Sequence, residues 1–327
     1  MAPPRSERRN ACLALRAFGR RHRTAITVVG SVGTVVALAF ALEGRREEFG
    51  QALGDAALWV LAVAALLQVV ALLARSEAWH LTIEAAGGEV ERKTLYRASS
   101  MQVLGGLLNA QLGVAARIAA LRRSSPEVAP QVPTLVAAEI PIMAVEAAWG
   151  ALASFTLVGP LGLPWWAPLL AFALVAAVSF GLRHLALPRG RELWLGLAII
   201  RRLGHGSRLV AFVMLAVSAQ IFRNWMLLRA VGVDASIFDA TAVLIGVSTL
   251  MQLPLGPGAG AAAAVLILGS NGVAEAAAAG VLMTVTGTMG GLSFAAWAGA
   301  DRLWARGRRR YSSSYSDSVA SSMPRDP

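Results

Sequence analysis

The stretch AALWVLAVAALLQVVALLA, residues 56–74, decides the fold. It carries no charged residue, and Gln68 is its single strongly polar side chain. A helix of this length reaches about 28 Å at 1.5 Å per residue, close to the ~30 Å hydrocarbon core of a membrane. The stretch therefore predicts a transmembrane helix.

Five other apolar runs have comparable lengths, which predicts an all-α polytopic membrane protein with about six transmembrane helices. The six runs are residues 25–42, 56–74, 132–158, 164–182, 209–228 and 273–298. Composition agrees, because 56% of the 327 residues are hydrophobic and only 15% are charged, against about 25% charged in a soluble domain. The single cysteine, Cys12, excludes a disulfide scaffold and structural zinc or iron–sulfur centres.

The basic residues predict the orientation of the chain. There are 30 Lys and Arg against 19 Asp and Glu, which gives a net charge of +11. They concentrate before the first run, after the last run, and within residues 75–123 and 183–208. Because cytoplasmic loops carry such an excess, we expect both termini in the cytoplasm. No basic stripe is interleaved with stacking aromatic residues, so we expect no nucleic-acid partner.

Two further apolar stretches, residues 99–116 and 237–268, are interrupted by polar and helix-breaking residues. The interrupting residues include Gly105, Gly106, Asn109, Gln111, Gly113, Pro254, Gly256, Pro257, Gly258 and Gly260. If each stretch enters the membrane and returns, the basic residues on both sides of the first stay cytoplasmic. The second then enters from the opposite face. With their flanking spans, these two opposed re-entrant helical hairpins form an inverted repeat, a plan that recurs in transporters.

Several motifs resemble the transmembrane region of the lysylphosphatidylglycerol synthase family, which is a flippase-like domain. The family motifs have these counterparts here: Arg75 and Trp79, then Asn109, Gly113 and Arg117, then Glu139. The family's Pro-x-Gly-x-Gly stretch is similar to LPLGPGAG, residues 253–260. The resemblance covers about residues 25–300. It implies a lipid flippase or transporter fold whose partners are membrane lipids.

The chain departs from that family at three positions. Val114 stands where the family has a glutamate after the first glycine, and Ile140 begins the segment that replaces an Arg and an Asp. Alanines 261–264 fill the region of the glutamate that follows the second glycine stretch. These departures identify a divergent member.

The resemblance and the charge pattern together predict three regions. Residues 1–23 are a basic cytoplasmic segment, residues 24–300 the flippase-like transmembrane domain, and residues 301–327 a basic, then serine-rich, disordered cytoplasmic tail. Alternatively, the first apolar run is a signal peptide that is removed, because Ala39-Phe40-Ala41 is compatible with a signal-peptidase site. Arginine in preference to lysine, with abundant alanine, favours a bacterial source and thus the bacterial cytoplasmic (inner) membrane.

Charges inside the spans are the candidate site residues, because each costs about 2.5–3.5 kcal/mol at a helix centre. Glu139 and Glu146 are two helical turns apart and share one helix face. Counted from the cytoplasmic ends, Glu146 lies roughly 21 Å deep and Arg223 roughly 22 Å deep. We therefore predict that Glu146 pairs with Arg223 and that Arg117 lies near Glu139. Gln220 and Asn224 extend the polar stripe around Arg223.

Two roles for these charges stay open. In one, the arginines bind lipid phosphate and the glutamates bind an amine or a coupling proton. In the other, the charges are fixed ion pairs that hold the bundle together. Likewise, the residues Pro254, Gly256, Gly258 and Gly260 either offer unwound backbone to a ligand or allow close helix packing.

Enzyme chemistry is not expected. The four histidines are not at metal-ligand spacing, and no nucleotide loop or catalytic triad occurs, so we expect no metal and no cofactor. A membrane pyrophosphatase acting on polyprenyl diphosphate is the nearest enzyme alternative, through the acidic motif at residues 43–47. The leading hypothesis is a flippase that moves a phospho- or polyprenyl-linked lipid between leaflets. The alternative is a non-transporting accessory subunit of a lipid-modifying enzyme or glycosyltransferase.

Overall fold

The computed structural model describes residues 23–106, 110–124, 130–186, 203–252 and 258–322, which contain helices and no strand. The helices are α1 (Arg23–Ala41), α2 (Arg46–Asp55), α3 (Leu58–Ala85), α4 (Arg92–Gly106), α5 (Ala110–Ser124), α6 (Val132–Ala137), α7 (Glu139–Ala153), α8 (Ala167–Ala186), α9 (Leu203–Ala230), α10 (Ile237–Leu250), α11 (Ala259–Leu268) and α12 (Val273–Ser322). The predicted all-α fold is confirmed.

Four helical segments are long and apolar enough to cross a membrane. They are Leu58–Ala85, Val132–Leu157, Gly206–Ala230 and Val273–Ala300. These segments coincide with four of the six predicted runs. The other two runs lie in α1 and α8, which are apolar helices. Membrane crossing by α1 and α8 stays a prediction.

The centre of the bundle is the antiparallel pair of α3 and α9, against which α12 packs. Small residues line part of the contact between α3 and α9: Ala71 and Ala74 on α3 face Ala216 and Ala219 on α9. Small side chains let two helix backbones approach closely, as in membrane bundles generally.

Helices α4 and α5 form an antiparallel hairpin whose close approach requires glycine. A Cβ atom on Gly105 would lie 2.8 Å from the carbonyl oxygen of Leu112. A Cβ atom on Gly113 would lie 2.7 Å from the carbonyl oxygen of Gln102. Because these neighbours are backbone atoms, a side chain at either position would push the helices apart.

Helices α10 and α11 form a second hairpin, so one order of elements occurs twice. A long helix, two short packed helices and another long segment follow one another in α3 to α7 and again in α9 to α12. The tips of both hairpins, residues 107–109 and 253–257, lie outside the described residues.

Glycine residues let the backbones of α11 and α12 come into direct contact. A Cβ atom on Gly280 would lie 2.3 Å from the Cα atom of Ala261, and one on Gly260 would lie 2.9 Å from the carbonyl oxygen of Gly280. The two backbones thus pack without intervening side chains. Of the two roles considered for Gly260, this contact favours close helix packing.

The predicted span 132–158 is not one uninterrupted helix. It consists of α6, α7 and a 3-10 turn at Ser154–Leu157, with a break at Ala138. Pro141 explains the break, because proline has no N–H to donate to the carbonyl of Ala137 and its ring crowds that carbonyl. The break lies immediately before Glu139.

A short helix follows the first apolar run, and the last helix extends beyond the last apolar run. Residues 42–44 form a turn, and Arg46 begins α2, which packs against α12. Residues 301–327 were expected to be a disordered tail, but α12 continues to Ser322. No proline interrupts α12 before Pro324, so nothing in the sequence forces an earlier end. The N-terminal segment lies outside the described residues up to residue 22.

An aromatic cluster fixes the start of α4 against α12. The ring centroid of Tyr96 lies 6.4 Å from that of Phe294 and 5.7 Å from that of Trp297. The Tyr96 hydroxyl donates a hydrogen bond to the carboxylate of Glu77. Burial, together with this carboxylate, raises the pKa of Tyr96 to about 12, so the hydroxyl remains a donor at neutral pH.

Candidate functional site

Arg117 on α5 and Glu139 on α7 form an ion pair in the interior. Arg117 is 1% exposed and Glu139 is 5% exposed. The guanidinium carbon of Arg117 also lies 3.8 Å from the ring centroid of Trp79 on α3, a cation–π contact. The prediction that Arg117 lies near Glu139 is confirmed, and Trp79 is an additional member of the site.

Glu146 pairs with Arg75, not with Arg223, so the predicted Glu146–Arg223 pair is wrong. Two parallel contacts join the side chains: Nη1 of Arg75 to Oε1 of Glu146 at 2.6 Å, and Nη2 to Oε2 at 3.1 Å. This bidentate geometry is the strong form of an arginine–carboxylate pair. Counting residues gave the depth of Glu146 along its helix, but not which neighbouring helix its side chain faces.

We call Arg75, Arg117, Glu139 and Glu146 the charge cluster. The two ion pairs belong to one site, because Arg117 contacts Trp79, and Arg75 lies one helical turn from Trp79 on α3. Two guanidinium groups and two carboxylates balance in charge. The pairs differ in access, because the Arg75 and Glu146 side chains are 30% and 28% exposed while Arg117 and Glu139 are buried.

Arg223 on α9 has amide partners instead of a carboxylate. Its Nη1 donates to the side-chain oxygen of Gln68 on α3, and its Nη2 donates to Oδ1 of Asn224 at 3.3 Å. Gly287 on α12 lies next to the same guanidinium group. We call Arg223, Gln68 and Asn224 the arginine site. Among the described residues, no carboxylate pairs with Arg223.

One face of α3 connects the arginine site to the charge cluster. Gln68, Arg75 and Trp79 are spaced by seven and four residues, which places them on one side of the helix. The rise from Gln68 to Arg75 is about 10 Å at 1.5 Å per residue. We call this line of side chains, with their partners on α5, α7 and α9, the polar column.

Several donors in the polar column lack a protein partner. Among the described residues, no hydrogen-bond partner is found for the buried Nε atoms of Arg75, Arg117 and Arg223 or for Nε1 of Trp79. Buried polar groups are almost always hydrogen-bonded, so such donors indicate a site that binds an acceptor, whether water or a ligand. All four donors would suit an anionic or oxygen-rich group.

The remaining predicted site residues are distributed differently. Gly113 packs against α4, Gly258 precedes α11 and faces the side chain of Thr34, and Gly260 packs against α12. Gln220 is half-buried on α9, about one turn before Arg223. Asn109, Pro254 and Gly256 lie outside the described residues.

Sequence reasoning did not assign Gln68, Arg75 and Trp79 to the site. Arg75 was grouped with the cytoplasmic arginines because it follows the last residue of an apolar run. The signal was present in the spacing, since all three residues share a face of one helix. From this spacing alone, one face of α3 could have been predicted to carry polar side chains towards the interior.

The fold and the polar column together define a class: an all-helical protein with four membrane-compatible helices and charged side chains between them. Within the described residues, no group of three or more His, Cys, Asp or Glu side chains is arranged to hold a metal ion. Comparison of the chain with protein-family models, with curated proteins and with solved structures gave no match.

Proposed function

We propose that this protein is a flippase-like membrane protein that moves an amphipathic lipid, phospho- or polyprenyl-linked, between the leaflets of a bacterial cytoplasmic membrane. The observation that carries the proposal is the charge cluster with its unpartnered donors, Nε of Arg75, Nε of Arg117 and Nε1 of Trp79. Charges at membrane depth are costly and are typical of substrate or ion pathways.

The chemistry of the cluster suits a lipid headgroup. Guanidinium groups bind phosphate oxygens through a planar fork of donors. Carboxylates beside them can accept hydrogen bonds from an amine or from sugar hydroxyls. The lipid's acyl chains would stay in the bilayer while only the headgroup passes the polar column. The resemblance to the lysylphosphatidylglycerol synthase transmembrane region supports the same proposal.

The finer topology belongs to this proposal. We infer about six spans, with α1 and α8 added to the four long segments, and both termini in the cytoplasm. The hairpins α4–α5 and α10–α11 would enter the membrane from opposite faces as an inverted repeat. The repeated order of elements supports this arrangement, and so does the concentration of arginine in the segments that it places in the cytoplasm.

Reconstitution into vesicles tests the transport proposal. The vesicles would carry labelled phosphatidylglycerol, its lysyl ester or a polyprenyl-linked sugar, and movement would be measured as loss of label from one leaflet. We expect movement of at least one of these lipids. Replacement of both Arg117 and Glu139 by Gln, which leaves no unpaired buried charge, should slow it at least about tenfold, equivalent to ~1.4 kcal/mol.

Arg122→Gln is the matched control, because Arg122 is an exposed arginine on the same helix as Arg117. It should leave the rate unchanged. The proposal fails if the wild-type protein moves none of the three lipids above the rate of empty vesicles. It also fails if the double variant moves its lipid as fast as the wild type does.

A second candidate function is a non-transporting accessory subunit of a lipid-modifying enzyme or glycosyltransferase. The burial of Arg117 and Glu139 favours it, because a closed ion pair can serve to fix helix positions. An accessory subunit would move no lipid but would co-purify with such an enzyme from native membranes. It would also change that enzyme's rate when added back.

A further inference from the structure

Arg223 differs from Arg75 and Arg117, the other arginines of the polar column, because it has no acidic partner among the described residues. Arg75 is neutralised by Glu146 and Arg117 by Glu139. The partners of Arg223 are amide oxygens, which accept hydrogen bonds but carry no charge. Arginine remains protonated in proteins. The arginine site therefore carries a net positive charge, whereas the charge cluster is balanced.

The groups around Arg223 offer donors to any further ligand. The side-chain oxygens of Gln68 and Asn224 accept from the guanidinium group, and each amide also has an NH2 group that can donate to a ligand. The Nε atom of Arg223 has no partner among the described residues. A set of donors with one positive charge suits an anion and disfavours a cation.

Glycine at position 287 keeps any side chain of α12 away from the guanidinium group at this point. Gly287 faces Arg223 from α12, and a Cβ atom at Gly287 would already lie 3.3 Å from Nη1 of Arg223. Any larger side chain would therefore occupy the space next to the donors. Arg223 and Gln68 are only half-buried, so a ligand can reach them without unfolding of the bundle.

An exposed apolar side chain lies next to Arg223 along α9, because Phe222 is 48% exposed. Apolar surface beside a cationic group suits an amphipathic ligand whose chains lie against the helices. A small free anion would gain nothing from this side chain.

We propose that Arg223, Gln68 and Asn224 bind the phosphodiester anion of a membrane lipid. The site lies about 10 Å from the charge cluster along α3 and selects anionic over zwitterionic headgroups. The inference rests on the proposed function for its choice of a lipid as the ligand. It does not depend on lipid movement, because binding is measured at equilibrium.

The test compares lipid binding by the purified full chain in mixed detergent micelles. Titration with phosphatidylglycerol and with phosphatidylcholine should show at least about tenfold tighter binding of the anionic lipid. Arg223→Gln should abolish this preference. Arg229→Gln should keep it, because Arg229 lies on the same helix but is exposed and pairs with Asp234.

A second variant keeps the test decisive if Arg223→Gln does not fold. Gly287→Leu retains the charge and fills the space beside it, and it should weaken phosphatidylglycerol binding to the level of phosphatidylcholine. Equal binding of the two lipids by the wild type would overturn the proposal. An unchanged preference in a folded Arg223→Gln variant would also overturn it.

Inorganic phosphate separates a lipid site from a free-anion site. We expect millimolar phosphate to leave phosphatidylglycerol binding unchanged within about twofold. Displacement of the lipid by phosphate at the affinity of the lipid itself would identify a free-anion site and would overturn the proposal. A preference for phosphatidylglycerol that depends on Arg223, in a protein that moves no lipid in vesicles, would support this inference and contradict the transport proposal.

Discussion

At the scale of single residues, a buried ion pair responds differently to the loss of one partner and to the loss of both. Removal of one partner leaves an uncompensated charge, which typically costs about 3–5 kcal/mol. Replacement of both partners by uncharged residues of similar volume is often tolerated. The Arg117–Glu139 pair, which is buried against Trp79, should follow this rule.

Glu139→Gln should therefore destabilise the protein by about 3–5 kcal/mol, because Arg117 stays charged and loses its counter-ion. Glu146→Gln should cost only about 1 kcal/mol, since the side chains of Arg75 and Glu146 are about one-third exposed. Unfolding in detergent, followed by circular dichroism, measures both changes. An effect of Glu139→Gln no larger than that of Glu146→Gln would contradict the structure.

The two predicted charge pairs show what residue counting can and cannot give. Arg117 and Glu139 were matched because Arg117 directly follows the stretch 99–116, predicted to enter from the cytoplasm, and Glu139 lies near the cytoplasmic end of the span 132–158. Glu146 and Arg223 were matched by depth alone, and their real partners are Arg75 and Gln68. Depth along a helix follows from sequence position, whereas the direction of a side chain depends on how neighbouring helices pack.

At the scale of helices, backbone contact between α11 and α12 depends on a single hydrogen atom at Gly280. Gly280→Ala places a Cβ atom 2.3 Å from the Cα atom of Ala261, a distance that only a shift of one helix can relieve. Overpacking of this kind typically costs about 1–3 kcal/mol. We expect Gly280→Ala to lower the free energy of unfolding in detergent by that amount.

Gly150→Ala is the control for this variant, because Gly150 lies inside α7 and a Cβ atom there meets nothing within 4 Å. It should leave stability unchanged or raise it by roughly 0.5–1 kcal/mol through the lower helix propensity of glycine. Equal stabilities of the two variants would show that α11 and α12 are not in backbone contact.

Helix positions were more predictable than helix limits. The apolar run at residues 56–74 begins two residues before α3, and α3 continues past the run to Ala85, where its last turns pack against α4. The break at Ala138 follows from Pro141, a signal that was present but not used. Four of the ten residues of α2 are charged, so its sequence gives little sign of a buried face. Ala52 is buried because α2 packs against α12.

At the scale of the whole molecule, the inferred topology can be tested by labelling single cysteines. Cys12→Ser removes the only cysteine of the chain. In that background, Glu43→Cys in the connection after α1 should react with a membrane-impermeant maleimide in intact cells. Arg123→Cys at the end of α5 should react only after the cells are permeabilised.

Both positions are exposed, so lack of access within the fold would not prevent labelling. Reaction of Arg123→Cys in intact cells would mean that α4 and α5 cross the membrane instead of returning, and the inverted repeat would then be wrong. Protection of Glu43→Cys in intact cells would remove α1 from the spans.

The position of three polar-column residues on the single helix α3 couples their motions. An α-helix moves as a nearly rigid rod, so a shift or rotation of α3 carries Gln68, Arg75 and Trp79 by the same amount. Withdrawal of Gln68 from Arg223 by such a motion also withdraws Arg75 from Glu146. The two ends of the polar column are therefore coupled through α3. If α3 stays fixed, one end can open independently only when α9 moves at Arg223 or α7 moves at Glu146.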